Sequence, residues 1–184
     1  ARTVPMAGRT QTEIRLGGAA PPRSDPRFPS LFLANEVLGG RSMLNRLFQH
    51  VRERRGLAYH ASSDLEAMRW GGYWTAQAGT GPERAAEVVR LMTVEVREIG
   101  TVPIPSAELD RTRESSIGEI PLSLETAADA HELAVDAAYH GLSDHYWKEW
   151  PPLLRATTAA AIREAAGPVY DLAHSTTVVA GPNA

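Results

Sequence analysis

The sequence contains no cysteine among its 184 residues. Disulfide bonds, thiolate nucleophiles and cysteine-ligated zinc are therefore excluded. It also lacks any run approaching the roughly 18 consecutive apolar residues of a membrane-spanning helix. Lysine is nearly absent, since Lys148 is the only one, and arginine supplies the other basic side chains. The net charge of −3 is mild and gives no reason to expect a nucleic-acid partner.

What is present suits one compact domain. The chain is 43% hydrophobic, and at this length it can bury well over half of its unfolded surface in one core. We therefore expect residues 1–184 to form a single domain. The first residue is Ala1 rather than methionine, and "ARTVPMAGRTQ" has no apolar core like that of a signal peptide. We expect a piece excised from a longer bacterial chain. A cysteine-free sequence suits both the cytoplasm and the periplasm, and the periplasm is favoured.

Strands and helices follow one another, but not one for one. Alternating patterns bounded by turn residues predict strands at 12–17, 57–65, 71–78 and 174–180. Helical periodicity and caps predict helices at about 30–39, 42–56, 82–99, 107–120, 123–139 and 157–166. A short helical piece at 143–150 is expected to stop at Pro151 and Pro152, and residues 19–29 form a proline-rich loop. This order favours an α+β fold, with a mainly antiparallel sheet and helices packed on one of its faces.

Caps and spacing define the two helices that precede the strand at 57–65. Ser30 and Ser42 are the predicted N-caps, and Gly39 and Gly56 the predicted C-terminal stops. In the second helix, the i, i+3, i+4, i+7 spacing predicts one buried face, formed by Leu44, Leu47, Phe48 and Val51.

The strands at 57–65 and 71–78 are joined by a short connection, which predicts an antiparallel hairpin. Tyr73 and Trp74 are adjacent in the second strand, so they point to opposite faces of the sheet. One of them is expected in the core and the other on a surface that can line a chamber. Alternation alone does not say which is which.

No common catalytic motif is complete in this chain. His131 and Glu132 begin an H-E-x-x-H motif, but Val135 stands where the second histidine belongs, and H-x-x-E-H occurs nowhere. His140, Asp144 and His145 could hold a metal, but their spacing fits no common template, and a solvated helix end is the simpler interpretation. No G-x-S-x-G elbow or phosphate-binding glycine loop is present. We therefore expect no metal in this segment and no catalysis by it alone.

One stretch resembles a known family. Residues 35–63, "NEVLGGRSMLNRLFQHVRERRGLAYHASS", resemble the second half-unit of insulinase- and pitrilysin-type zinc metallopeptidases, which include mitochondrial processing peptidase and similar bacterial proteins. The shared pattern is a helix that ends in R-E, followed by R-G-L-A-Y and a strand. The strand before the D-P loop, the helix start "PSAELDRTRES" and the closing "TTVVAGP" also fall where such a half-unit places them.

The resemblance implies a metal-free half-unit that faces a zinc-bearing one across a chamber. In that family the first half carries H-x-x-E-H, binds zinc and hydrolyses peptides. The second half contributes an arginine and a tyrosine, seven residues apart, that reach into the partner's site. The matching positions here are Arg52 and Tyr59. The implied partners are thus a peptide substrate and a zinc-bearing half-unit, in the same chain or in a separate subunit.

The residues themselves are consistent with that role. A cation in the last turn of a helix, as Arg52 is predicted to be, is favoured by the helix dipole. Only Gly56 separates the helix from the strand that begins near Tyr59, so the guanidinium and the phenol can converge. Both groups donate hydrogen bonds to peptide carbonyls. Arg54 and Arg55 lie outside the motif, and His60 is expected to point away from Tyr59 by strand alternation.

Three other interpretations remain open at this stage. Arginines at helix ends and tyrosines in strands are common without any function, so both residues could be structural. A half-unit of this kind could also serve as a non-proteolytic scaffold subunit of a larger complex. A free-standing metal enzyme that uses His140 and His145 is the weakest alternative.

Overall fold

The computed structural model describes residues 1–121 and 124–182. Its strands are β1 (Arg2–Pro5), β2 (Thr12–Ala20), β3 (Ala58–Ala67), β4 (Gly72–Thr80) and β5 (Thr176–Gly181). Its α-helices are α1 (Phe28–Leu38), α2 (Ala85–Thr101), α3 (Ser106–Gly118), α4 (Ala127–His140), α5 (Tyr146–Ala156) and α6 (Ala159–Val169). A π-helix spans Phe48–Glu53, and 3₁₀ turns span Pro82–Arg84 and Leu172–His174.

The five strands form one sheet in the order β1-β5-β2-β4-β3. β1 pairs parallel with β5, and the other neighbouring strands pair antiparallel. β3 and β4 form the predicted hairpin, in which Leu65 lies opposite Trp74. The expected α+β class, with a mainly antiparallel sheet, is confirmed.

One face of the sheet is buried beneath the helices. Ile14 and Leu16 of β2 and Trp74 of β4 are almost completely buried, and the residues between them on each strand are more exposed. Trp74 is therefore the core residue of the adjacent pair. Its indole N–H donates to the Val169 carbonyl at 2.8 Å. Tyr73 lies on the other face and is 46% exposed, which settles the choice that alternation left open.

The helical layer is built mainly from α1, α2 and α6. In α2, helical spacing predicts a buried face formed by Ala85, Val88, Val89, Met92, Val96 and Ile99. Val88, Met92, Val96 and Ile99 are fully buried, and Ala85 and Val89 are partly buried. α2 and α6 approach so closely at one point that a Cβ atom on Gly100 would lie 3.0 Å from the Cα atom of Gly167. Glycine at position 100 suits this contact, because even a Cβ atom there would require the two helices to separate by a few tenths of an ångström.

The predicted start of the first helix is wrong by two residues. α1 begins at Phe28, and Ser30 is buried in its first turn instead of capping it. Asp25 forms the preceding turn, where its carbonyl accepts the Phe28 N–H at 2.9 Å. Pro29 occupies the first turn and has no N–H that needs a partner, so the helix begins without a serine cap. Gly39 ends α1 as predicted.

The predicted capping of the second helix by Ser42 is also wrong. Residues 41–45 form turns, and the side-chain oxygen of Asn45 accepts the Phe48 N–H at 2.7 Å. Leu44 precedes the helix and is 62% exposed, whereas Leu47 and Val51 are completely buried. The periodicity therefore identified the inner face correctly, but extended it one turn too far toward the N-terminus.

Pro151 and Pro152 do not stop the helix that precedes them. α5 runs through both prolines, with Tyr146, Trp150 and Leu154 buried on one side. Tertiary contacts hold it, because the guanidinium of Arg23 lies 3.8–5.0 Å from the ring centroids of Phe28, Tyr146 and Trp150. Arg23 also donates to the Tyr146 hydroxyl at 2.7 Å. Burial raises the pKa of Tyr146 to about 12, so this phenol stays neutral.

The remaining differences concern element ends. β1 was not predicted, since its four exposed residues show no alternation and are held only by pairing with β5. β2 continues to Ala20, into the segment predicted as loop. The predicted start of the helix at 123–139, Ser123, falls outside the described residues. The observed helix α4 begins at Ala127, after a capping box formed by Thr126 and Asp129.

Among the helices described, none has the length and apolar character of a membrane span.

A cleft of about 320 Å³ lies beside α1, and the carboxylate of Glu36 lines it together with Phe32, Leu65 and Trp150. Burial is the largest influence on the Glu36 carboxyl and raises its pKa above the usual value. The Arg41 N–H, which donates to this carboxyl at 3.1 Å, acts in the opposite direction and lowers the pKa by less. Because the pKa of Glu36 is higher in the folded chain than in the unfolded chain, this carboxyl contributes stability at pH values below its unfolded-state pKa. That contribution is lost as pH rises through its folded-state pKa.

The Glu36→Gln variant should therefore be more stable than the parent at about pH 7–8, because the amide removes a partly buried charge and keeps an oxygen for the Arg41 N–H. The gain should shrink as pH falls toward about 4, because the Glu36 carboxyl takes up a proton progressively, in the folded state first. Thermal melts across this pH range check the expectation, with exposed Glu87→Gln as the matched control. A lower melting temperature for Glu36→Gln at neutral pH would contradict it.

The opposite placements of Tyr73 and Trp74 give a second prediction. Trp74→Ala should lower the free energy of unfolding by about 3–5 kcal/mol, since it removes a fully buried indole. Tyr73→Ala should change the same quantity by no more than about 1 kcal/mol, because the side chain is half exposed. Urea unfolding of both variants measures the difference, and equal losses would mean that the face assignment is wrong.

Candidate functional site

Arg52 lies on a π-helix rather than on the α-helix that its sequence suggests. The π-helix Phe48–Glu53 closes with hydrogen bonds that span five residues, such as the one from Arg54 N–H to the Gln49 carbonyl at 3.0 Å. Short π-helical turns are rare and occur frequently at functional sites. One extra residue in a turn rotates the following side chains by about 100° relative to an α-helix. The π-helix therefore determines where Arg52 points.

A one-residue reversal at Gly56 joins the π-helix to β3. Gly56 has a φ of +59°, a left-handed conformation that costs other residues about 1–2 kcal/mol. Its N–H donates to the Arg52 carbonyl at 2.8 Å, and the Leu57 N–H donates to the Val51 carbonyl at 3.1 Å. The predicted stop at Gly56 is confirmed. These bonds fix the end of the π-helix relative to the start of β3.

Two distant side chains hold the carbonyls of the reversal. Arg84 donates to the Gly56 carbonyl at 2.8 Å, and the hydroxyl of fully buried Thr80 donates to the Leu57 carbonyl. Sequence reasoning missed both residues, because each acts on a backbone oxygen 28 or 23 residues away. Such contacts leave no motif in the sequence.

Tyr59 lies in a β-bulge at the start of β3. The pairing register shifts between Ala58, which is opposite Thr80, and His60, which is opposite Gly79, so Tyr59 has no residue facing it on β4. Bulges often lie next to active sites, where they re-aim a side chain. Tyr59 is 65% exposed, and within residues 1–121 and 124–182 its hydroxyl makes no hydrogen bond. The phenol is therefore accessible to a ligand.

Arg52 is also exposed. Its guanidinium lies 4.9 Å from the centroid of the Phe48 ring, and it forms no ion pair with any residue that the structure describes. The structure thus places Arg52 and Tyr59 on either side of the Gly56 reversal, both exposed and both with unused hydrogen-bond donors.

The neighbouring basic residues differ from Arg52 in their surroundings. Arg54 and Arg55 follow the π-helix and are exposed. The His60 ring lies 3.5 Å from a Glu13 carboxylate oxygen, nitrogen to oxygen, on the partly exposed face of the sheet. Strand alternation, which predicted His60 to point away from Tyr59, does not apply across a bulge, and both side chains are exposed.

Polar contacts join the π-helix and the residues just before it to α2 and α3. Arg46, just before it, donates two hydrogen bonds to the Glu108 carboxylate of α3, at 2.9 and 2.8 Å. These bonds raise the pKa of Arg46 and keep its charge. His50 Nδ1 lies 2.6 Å from a Glu95 carboxylate oxygen of α2. The sequence pattern marked neither pair, because the partners come from helices distant in the chain.

The histidines do not form a zinc site. His50, His60, His140 and His174 each contact a single carboxylate. In the part of the chain that the structure describes, no three His, Asp or Glu side chains are grouped so that they could hold a metal ion. The residues present therefore do not fit the zinc of a metallopeptidase, and the candidate trio His140, Asp144 and His145 is not such a group.

Curated relatives share the sequence over most of the chain. "Uncharacterized zinc protease YmxG" of Bacillus subtilis is 36% identical over 100 residues, which cover 54% of this chain and 24% of that protein. "Uncharacterized zinc protease SCO5738" of Streptomyces coelicolor is 32% identical over 132 residues, which cover 67% of this chain and 28% of that protein. The chain thus spans only about a quarter of the length of these relatives.

Solved structures share the fold over nearly the whole chain. The peptidase M16 inactive domain from Pseudomonas fluorescens superposes with a TM-score of 0.90 at 23% identity, over 98% of this chain and 42% of that one. An inactive peptidase domain from Bordetella parapertussis superposes with a TM-score of 0.78 at 15% identity, over 96% of this chain and 94% of that one. The family model described as "Peptidase M16 inactive domain" matches residues 2–116. The chain therefore belongs to the peptidase M16 family, the zinc peptidases expected from residues 35–63, and is an inactive C-terminal domain of that family.

Proposed function

We propose that this domain holds the peptide substrate of a zinc peptidase, with Arg52 and Tyr59 as its substrate-binding residues. The observation that carries the proposal is the pair of exposed donors on either side of the Gly56 reversal, which have no polar partner among residues 1–121 and 124–182. An exposed arginine on a rare π-helix and an exposed tyrosine in a bulge are hard to explain by packing. Both positions also match the arginine and tyrosine that the family resemblance implies.

The two side chains supply complementary hydrogen bonds. The guanidinium of Arg52 has several donors in a planar array and a permanent charge, and the phenol of Tyr59 has one donor. Extended peptide presents carbonyl oxygens that accept such bonds. When water attacks a peptide bond, one carbonyl oxygen becomes an oxyanion, and donors aimed at it stabilise the transition state more than the substrate. In this proposal the pair binds the backbone and steadies that oxyanion.

Zinc belongs to a companion half-unit in this proposal. The relatives carry zinc protease in their names, whereas this chain lacks the H-x-x-E-H ligands. Its contribution is then to hold and orient the substrate, while the companion, in the same chain or in a separate subunit, activates water. The scaffold alternative predicts no effect of Arg52 or Tyr59 on peptide cleavage, so the two functions are separable by experiment.

Arg52→Ala and Tyr59→Phe should lower peptide cleavage by the assembled peptidase without unfolding this domain. A donor aimed at the oxyanion should cost about 10²–10³ in kcat, and a donor that only holds the ground-state backbone should instead raise KM. Both melting temperatures should stay close to that of the parent, because both residues are exposed. Steady-state kinetics and thermal melts of the same preparations measure the two effects.

Arg54→Ala is the matched control, since Arg54 directly follows the π-helix but lies outside the motif. It should leave cleavage unchanged. If Arg52→Ala and Arg54→Ala have equal effects, or if Tyr59→Phe unfolds the domain, the two residues are structural and the assignment is wrong.

The chain by itself should retain no zinc in stoichiometric amount after dialysis and should cleave no peptide, because no set of side chains among the described residues is grouped to bind the metal and activate water. Elemental analysis and a peptide-library assay of the purified chain test this expectation. One tightly held zinc per chain, lost in His140→Ala or His145→Ala, would contradict it.

A further inference from the structure

Glu95 is an unusual residue for the inner face of α2. Its neighbours on that face are apolar, and only 8% of its side chain is exposed. One carboxylate oxygen contacts His50, but the other is buried without a hydrogen-bond partner among the described residues. Burying a carboxylate with incomplete pairing is costly, and an apolar side chain of similar size would stabilise the core more. The charge of Arg46 interacts with this carboxylate but supplies no hydrogen bond to it, so stability alone does not explain why a carboxylate is found here.

The partner of Glu95 lies on the π-helix that carries Arg52. His50 is two residues before Arg52, and its Nδ1 is 2.6 Å from the Glu95 oxygen. About a third of the His50 side chain remains exposed, so this contact joins the buried face of α2 to the outer part of the π-helix. The pair is placed to restrain the rotation of the π-helix about its own axis.

Other contacts of this six-residue π-helix hold its two ends but not the residues between them. Asn45 caps the first turn, and Arg46 is bound to Glu108 before the helix begins. The Gly56 reversal fixes the last residues. Val51 is buried but makes only apolar contacts through its side chain, which restrain rotation weakly. Among the described side chains, His50 makes the one polar contact from the middle of the π-helix to the core.

We infer that Glu95 is a positioning residue for Arg52 and acts through His50. Its carboxylate holds the five-residue hydrogen-bonding pattern of the π-helix, and this pattern directs the exposed Arg52 over the Phe48 ring. Without the carboxylate, the segment is free to relax toward the more common α-helical pattern, which turns Arg52 away. This inference rests on the substrate-binding role proposed for Arg52.

Glu95→Leu in the assembled peptidase tests the inference. It should lower kcat/KM by roughly tenfold to a hundredfold, the scale expected when a reacting geometry is displaced by about 1 Å. The melting temperature should stay the same or rise, because a buried charge is replaced by an apolar side chain and His50 can be hydrated. Glu95→Gln should restore most of the activity, since its amide oxygen still accepts from His50. Glu87→Gln, on the exposed side of α2 and about two turns before Glu95, is the matched control and should leave activity unchanged.

Two further measurements separate this inference from the proposed function. Adding Glu95→Leu to Arg52→Ala should cause no further loss of activity, because Glu95 affects activity only through Arg52. Amide hydrogen exchange at Arg54, whose N–H closes the π-helix, should become faster in Glu95→Leu. If Arg52→Ala alone has no effect on activity, the substrate-binding role of Arg52 is wrong. If amide exchange at Arg54 is unchanged in Glu95→Leu, the positioning role of Glu95 is wrong, whatever Arg52 does. Additive losses in the double variant, or no rescue by Glu95→Gln, would also overturn it.

Discussion

The candidate site depends on one backbone constraint, the left-handed conformation of Gly56 between the π-helix and β3. A single residue reverses the chain there, so neither the helix nor the strand can shift without moving the other. The hydrogen bonds from Arg84 and Thr80 to adjacent carbonyls then fasten this reversal to the hairpin and to the start of α2. This junction fixes the backbone positions of Arg52 and Tyr59, so the two side chains need not contact each other to be held in place.

Much of the fold could be predicted from the sequence because its strongest signals are local. The periodicity of α2 identified its inner face, and Gly39 and Gly56 marked real helix ends. The errors arise where distant contacts override local preference. Pro151 and Pro152 fail to end α5 because Arg23 and the aromatic side chains around it hold that helix in place. Ser30 and Ser42 are acceptable caps by type, but a proline turn and Asn45 satisfy the helix starts instead.

The candidate residues could be found from the sequence, but their geometry could not. A motif pointed to Arg52 and Tyr59, whereas the π-helix and the β-bulge that orient them have no sequence pattern of their own. Both features add one residue to a regular element, and hydrophobic spacing over such short segments cannot reveal a single added residue. Glu95 was similarly hidden, because it occupies an inward position of α2 that periodicity assigns to the core. Its role depends on His50, which is 45 residues away in sequence.

The bulge at Tyr59 also has a consequence for how this part of the chain can tolerate changes in length. It adds a residue to β3 but not to β4, so deleting Tyr59, the one residue between Ala58 and His60, would give an uninterrupted ladder of hydrogen bonds. The hairpin would gain regular pairing, and the phenol would be lost. Because the most regular form of this hairpin lacks the exposed tyrosine, a length variant there can fold well and still lose the site. Insertions and deletions at this point would therefore separate folding from substrate recognition more cleanly than most side-chain changes.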